Sequence, residues 1–140
     1  MVKMSSASSP AIRPRVLIVD DDPVVLEIVK ETLTGAGYRV DTRDQALGTA
    51  QWVAREQPEF VLLDVKMPAL SGGELTQLIR RKQAMSQVAV ILHSSMESDE
   101  LNSIARNSGA LGAIKKTPNA RIFLLEFDRL VAKWRAEKPR

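Results

Sequence analysis

A chain of 140 residues, 44% hydrophobic and 26% charged, has the balance of one globular domain with a real core. No apolar run approaches the roughly 20 residues of a membrane-spanning helix, and the first ten residues lack the apolar middle of a secretory signal, so a cytoplasmic, membrane-free chain is expected. Zero cysteines exclude disulfides and thiolate metal sites; the net charge of +3 gathers at Arg129, Lys133, Arg135, Lys138 and Arg140, which reads as a solvated helix face rather than a nucleic-acid surface.

Residues 1–13 are rich in Ser, Ala and Pro without periodicity, and a disordered tail is expected there. A first strand over 15–20 carries four consecutive apolar residues, as in a strand covered on both faces. Pro23 opens a helix in its first turn, where a missing N–H costs nothing; Val25, Ile28, Val29 and Leu33 share a face, and Gly35-Ala36-Gly37 stops it. A short strand over 38–42 follows. Asp44 is placed to cap a helix bearing Leu47, Ala50, Val53 and Ala54, ended by Pro58. The third strand is Phe60–Asp64, with a loop at 70–73 and a helix over 74–82. A strand over 88–93, a helix over 99–107 closed by Gly109, and a strand at Gly112–Lys115 come next. The last helix, 119–137, should bury Phe123, Phe127, Leu130, Val131 and Trp134. Alternating strands and helices predict an α/β fold: a five-stranded parallel sheet, order 2-1-3-4-5, flanked by five helices (flavodoxin-like).

In such a sheet the site lies beyond the carboxyl ends of the strands. Polar residues gather there. Strand one ends in Asp20-Asp21-Asp22, strand three in Asp64, strand four in Ser94-Ser95 and strand five in Lys115-Lys116. Strands one and three are neighbours in this order, so Asp20, Asp21 and Asp64 should converge. Carboxylates about 4 Å apart repel by about 4 kcal/mol at an effective dielectric of 20, so the cluster needs a cation. All-oxygen ligands point to Mg2+. With a metal present, one carboxylate can attack phosphorus while Lys116 and Ser94 meet the phosphoryl oxygens. The bland alternative is that each Asp is only a cap or turn residue.

The segments RVLIVDDDP (15–23), FVLLDVKMPALSGGEL (60–75), VAVILHSS (88–95) and GALGAIKKTP (109–118) resemble the receiver domains of two-component response regulators, over about residues 13–137. The resemblance implies a receiver domain at 14–137 with Asp64 as phosphoacceptor. It implies Asp21 as direct metal ligand, Asp20 as an acidic partner acting mainly through water, and Lys66 giving its backbone carbonyl to Mg2+. It also implies Ser94 as the switching hydroxyl and Lys116 as the phosphate-binding lysine. Strand alternation and the Gly109-Ala110 and Gly112 register select Lys116 over Lys115. Asp22 is expected to cap the first helix. Three positions depart from the pattern: Ala113 replaces the usual aromatic, Thr117 stands where proline usually follows the lysine, and Met96 is apolar beside the attacking water, where it should slow hydrolysis. The lone His93 lies among sheet residues and reads as core packing, and Trp52 and Trp134 as helix packing.

The resemblance further implies a sensor histidine kinase or phosphotransfer protein as phosphoryl donor, and a downstream protein target on the helix 4–strand 5–helix 5 face. No direct nucleic-acid contact is expected, and the chain would be a monomer or a phosphorylation-dependent dimer. It would not be an enzyme beyond its own phosphorylation and dephosphorylation. The chain holds no output domain, so a stand-alone receiver acting by protein contacts, or a fragment, is expected. Two other readings remain. One is a receiver-like adaptor that works without phosphate. The other is a haloacid-dehalogenase-type phosphatase using Asp20, since Asp20, Asp22 and Val24 satisfy its spacing.

Overall fold

The computed structural model describes residues 14–137; the tail expected at 1–13 lies outside the described residues. Five strands run in the order β1 Arg15–Val19, β2 Arg39–Arg43, β3 Phe60–Asp64, β4 Ala89–Ser94 and β5 Gly112–Lys115. All pair in parallel, in the sheet order β2-β1-β3-β4-β5, the expected 2-1-3-4-5. The helices are α1 Pro23–Gly35, α2 Thr49–Glu56, α3 Gly72–Arg81, α4 Ser98–Ser108 and α5 Ala120–Glu137. None is long and apolar enough to cross a membrane.

Successive side chains of a strand face opposite ways, so the continuous apolar runs feed two cores. Leu17, Val19, Val61, Leu63, Val90 and Leu92 pack under α2, α3 and α4 through Val53, Leu75, Ile79 and Leu101. Val16, Ile18, Phe60, Leu62 and Ile91 pack under α1 and α5 through Val29, Leu33, Phe123 and Phe127. Two covered faces fix the strand register, and with it the edge at which all five carboxyl ends emerge.

The start of α3 is pressed onto the end of β3. The Gly72 amide donates to the Val65 carbonyl at 2.9 Å, and a Cβ on Gly72 would overlap the Asp64 carbonyl oxygen. Glycine is required there for lack of room. Ser71 caps the helix: its hydroxyl accepts from the Glu74 amide at 3.1 Å while the Glu74 carboxylate accepts from the Ser71 amide at 3.0 Å.

Several boundaries differ from expectation. Asp44 does not cap α2; Gly48, at φ 81, precedes a helix that begins at Thr49. The Arg43 guanidinium donates to the Leu47 carbonyl and the Thr49 hydroxyl, both at 2.9 Å, and so holds residues 44–48 as a turn with Leu47 exposed. Helix α3 begins two residues early because Ser71 and Glu74 form a capping box. Ile28 is 56% exposed although it neighbours the buried Val29, and Trp134 is only partly buried, because α5 meets the sheet through Phe123, Phe127, Leu130 and Val131. Trp52 packs partly against the core with the Arg15 guanidinium 5.4 Å from its ring. Arg129 and Arg135 pair with Glu126 and Glu59 at 3.2 Å, which fits a solvated basic face.

Candidate functional site

Asp20 directly follows β1. Its amide donates to the Arg43 carbonyl at 3.2 Å, and its Oδ1 accepts from the Asp22 amide at 2.9 Å. These bonds turn the chain sharply, leaving Asp20 1% exposed and Asp21 exposed. Asp22 looks away: its carboxylate accepts from the Val24 amide at 2.9 Å as the N-cap of α1. Asp64 ends β3, 6% exposed. One oxygen from each of Asp20, Asp21 and Asp64 lies within 4.8 Å of the others, as the neighbouring β1 and β3 require.

Lys116 follows β5 and reaches the same place. Its Nζ lies 2.9 Å from Asp20 Oδ2 and 3.5 Å from Asp64 Oδ1. Lys115 turns the other way and pairs with the exposed Glu97 at 3.3 Å. Burial pushes the Asp64 carboxyl above its ordinary value, and Asp20 pushes it further; Lys116 and the Lys66 amide oppose this without overcoming it. Burial pulls the Lys116 ammonium down, but Asp20 and Asp64 together outweigh that and raise it. Asp20 Oδ2 is buried, with the Lys116 ammonium 2.9 Å away as its ion-pair partner. Three crowded carboxylates with one ammonium shared between two of them fit a hard divalent ion with oxygen ligands.

Ser94 ends β4, one strand over from Asp64 and 2% exposed. Its hydroxyl accepts from the Met96 amide at 3.3 Å, so Ser94 is at the site's edge and engaged with its own loop. Lys66 is exposed; its amide faces the Asp64 carboxylate. Met96 and Ala113 both pack partly against the α4-side core. The Thr117 hydroxyl accepts from the Asn119 amide at 3.1 Å, and Asn119 Oδ1 from the Ile122 amide at 3.1 Å, which starts α5 without a proline directly after Lys116.

His93 is 4% exposed, edge-on to Phe123 with ring centroids 5.4 Å apart, and burial holds its pKa down to about 3. It is therefore a neutral core residue. The phosphatase alternative needs Asp22 beside Asp20, and Asp22 is spent on the helix cap. Sequence reasoning missed Gly72 as the residue that seats α3 against the Asp64 carbonyl; the Ser-Gly-Gly-Glu run was its only signal.

A model of the response regulator receiver domain matches residues 16–125. The chain is similar to the DNA-binding dual master transcriptional regulator RpaA of Synechocystis sp., 29% identical over 83 residues, covering 59% of this chain and 34% of that protein. It is 38% identical over 66 residues to the response regulator MprA of Mycobacterium leprae, covering 47% of this chain and 29% of that protein. It thus spans about a third of the length of these curated relatives. Among solved structures it is similar to a CheY-like receiver domain protein of Methanospirillum hungatei, with a TM-score of 0.79 and 27% identity over 90% of this chain and 99% of that one. With the matched family model spanning most of the chain and this sheet order behind it, the chain belongs to the response regulator receiver domain family.

Proposed function

We propose that this receiver domain takes a phosphoryl group onto Asp64 from a sensor histidine kinase or phosphotransfer protein, and signals through protein contacts in the cytoplasm. One observation carries the reading: a buried Asp64 carboxylate within 4.8 Å of Asp20 and Asp21 oxygens and 3.5 Å from the Lys116 ammonium. An Asp64 oxygen forms the new O–P bond as the donor's P–N bond breaks. The Lys116 ammonium donates to one phosphoryl oxygen, sliding from carboxylate to phosphate. The Ser94 hydroxyl donates to a second oxygen once it leaves the Met96 amide. Asp20, Asp21, Asp64 and the Lys66 carbonyl would hold Mg2+, which neutralises the acidic cluster and draws charge off the phosphoryl group. Beyond its own phosphorylation and dephosphorylation the domain catalyses nothing.

The added charge of about −1.5 to −2 biases the surface of α4, β5 and α5 toward a downstream partner. Exposed Ile122 and Leu125 on α5 support that face, as a monomer or a phosphorylation-dependent dimer. Ala113 leaves Ser94 to carry the switch without an aromatic. Incubation with acetyl phosphate and magnesium, followed on a phosphate-affinity gel, tests the reading. The expected result is a retarded band that chelation of magnesium abolishes; an unshifted parent protein would favour a phosphate-independent adaptor.

A further inference from the structure

Between α1 and the start of α5 lies a cleft of about 310 Å³, lined by none of Asp20, Asp21 and Asp64 but sharing Lys116 with them. Val29 and Ile28 form one wall and Phe123 the other, with Pro118 and Lys116 at the β5–α5 side. His93 of β4 lines it as well. That ring is 4% exposed, yet no described residue hydrogen-bonds its nitrogens; its neighbours are the Phe123 edge and the Lys116 charge. Among the described residues, the buried side-chain atoms that lack a partner do not include its nitrogens, so the ring keeps contact with solvent and can meet a ligand in the cleft. A neutral imidazole offers one donor and one acceptor.

We propose that this cleft is a binding site for a small aromatic molecule of one or two rings carrying a single hydroxyl or N–H group, which hydrogen-bonds the ring of His93. The size is right: an apolar cavity of roughly 150 Å³ already takes benzene, and ligand sites begin near about 300 Å³. The chemistry is right too, since apolar walls with one oriented polar group are what selects such a ligand. A strongly charged ligand is disfavoured by the apolar walls. The cleft shares Lys116 with the proposed phosphotransfer site, but none of the three carboxylates lines it.

His93 is the sole histidine of the chain, so its ring nitrogen resonances report on the cleft directly. The test titrates phenol and toluene, equal in shape and different in the hydroxyl, into the full-length protein with the histidine ring labelled with nitrogen-15. Phenol should shift the ring nitrogens and saturate at about millimolar concentration, as expected of so few heavy atoms. It should bind about two- to tenfold more tightly than toluene, the value of one hydrogen bond. His93→Phe should erase that preference. If that variant does not fold, Ile28→Trp, which fills the cleft from an exposed position, should abolish the shifts. Unmoved ring nitrogens, equal affinity for the two probes, a preference surviving in His93→Phe, or shifts surviving in Ile28→Trp would each overturn the proposal.

Discussion

Asp64→Asn in the metal-free protein removes one of three carboxylates whose oxygens lie within 4.8 Å of one another. At that spacing two like charges repel by about 3.5 kcal/mol at an effective dielectric of 20, while Lys116 at 3.5 Å returns about 4.7 kcal/mol of attraction that it shares with Asp20. Against two such neighbours the repulsion exceeds the attraction, and the cost of burying the charge adds to the imbalance. The variant should therefore be more stable by about 1–2 kcal/mol, a melting temperature rise of roughly 3–10 °C at this size. The sign follows from the raised carboxyl. A folded pKa above the ordinary carboxyl value of 3.8 means that folding disfavours the charged form. The gap between variant and parent is then full at neutral pH and closes as pH falls through the folded pKa toward 3.8. Magnesium should reverse the order of benefit: at tenfold excess over its dissociation constant it adds about 1.4 kcal/mol to the parent and much less to the variant. Calorimetry in chelator and in magnesium reads both effects. A lower melting temperature for the variant in chelator, or equal gains on adding magnesium, would refute the reasoning.

His93→Phe should flatten the acid limb of the stability curve. The folded ring titrates near 3 against 6.5 when free, so its contribution is complete above pH 6.5 and is lost as pH falls toward 3. Urea midpoints at pH 6.5 and 4.5 should show the parent losing about 2–3 kcal/mol more than the variant; parallel losses would contradict the burial. Ala69 adopts φ 74, a left-handed conformation costly for alanine, so Ala69→Gly should change stability by about 0 to +1 kcal/mol in chemical denaturation, and a clear loss would show the strain is absent. Met96, beside the Ser94 hydroxyl, should keep water from the phosphorylated aspartate. Met96→Glu should therefore lose phosphate faster, by up to about tenfold in a single-turnover decay, and an unchanged rate removes that role.

Strand and helix order were legible because uninterrupted apolar runs such as 16–19 and 60–63 admit only two-faced burial, and parallel pairing then sends every carboxyl end to one edge. That is why the sequence predicts Asp20, Asp21, Asp64 and Lys116 at one place. Asp22, one step past the acidic pair, is expected at the helix cap and lies there. What was hidden depends on contacts between distant segments. The turn at 44–48 is set by Arg43 reaching back to Leu47 and Thr49, a choice that no local pattern around Asp44 reveals. The exposure of Ile28 depends on where α5 lies, and the His93 cleft exists only because α1 and the β5–α5 turn stand apart over β4. The Ser71–Glu74 box, by contrast, was in plain view and marks the true start of α3.

The central claim is that the terminal side chain of β3 is the group that reacts. Trapping the product of acetyl phosphate treatment with borohydride, then sequencing peptides by mass spectrometry, identifies the acyl phosphate by its reduction. The account predicts reduction at Asp64 alone and none after Asp64→Asn. Reduction at Asp20, or undiminished trapping in the asparagine variant, would contradict it.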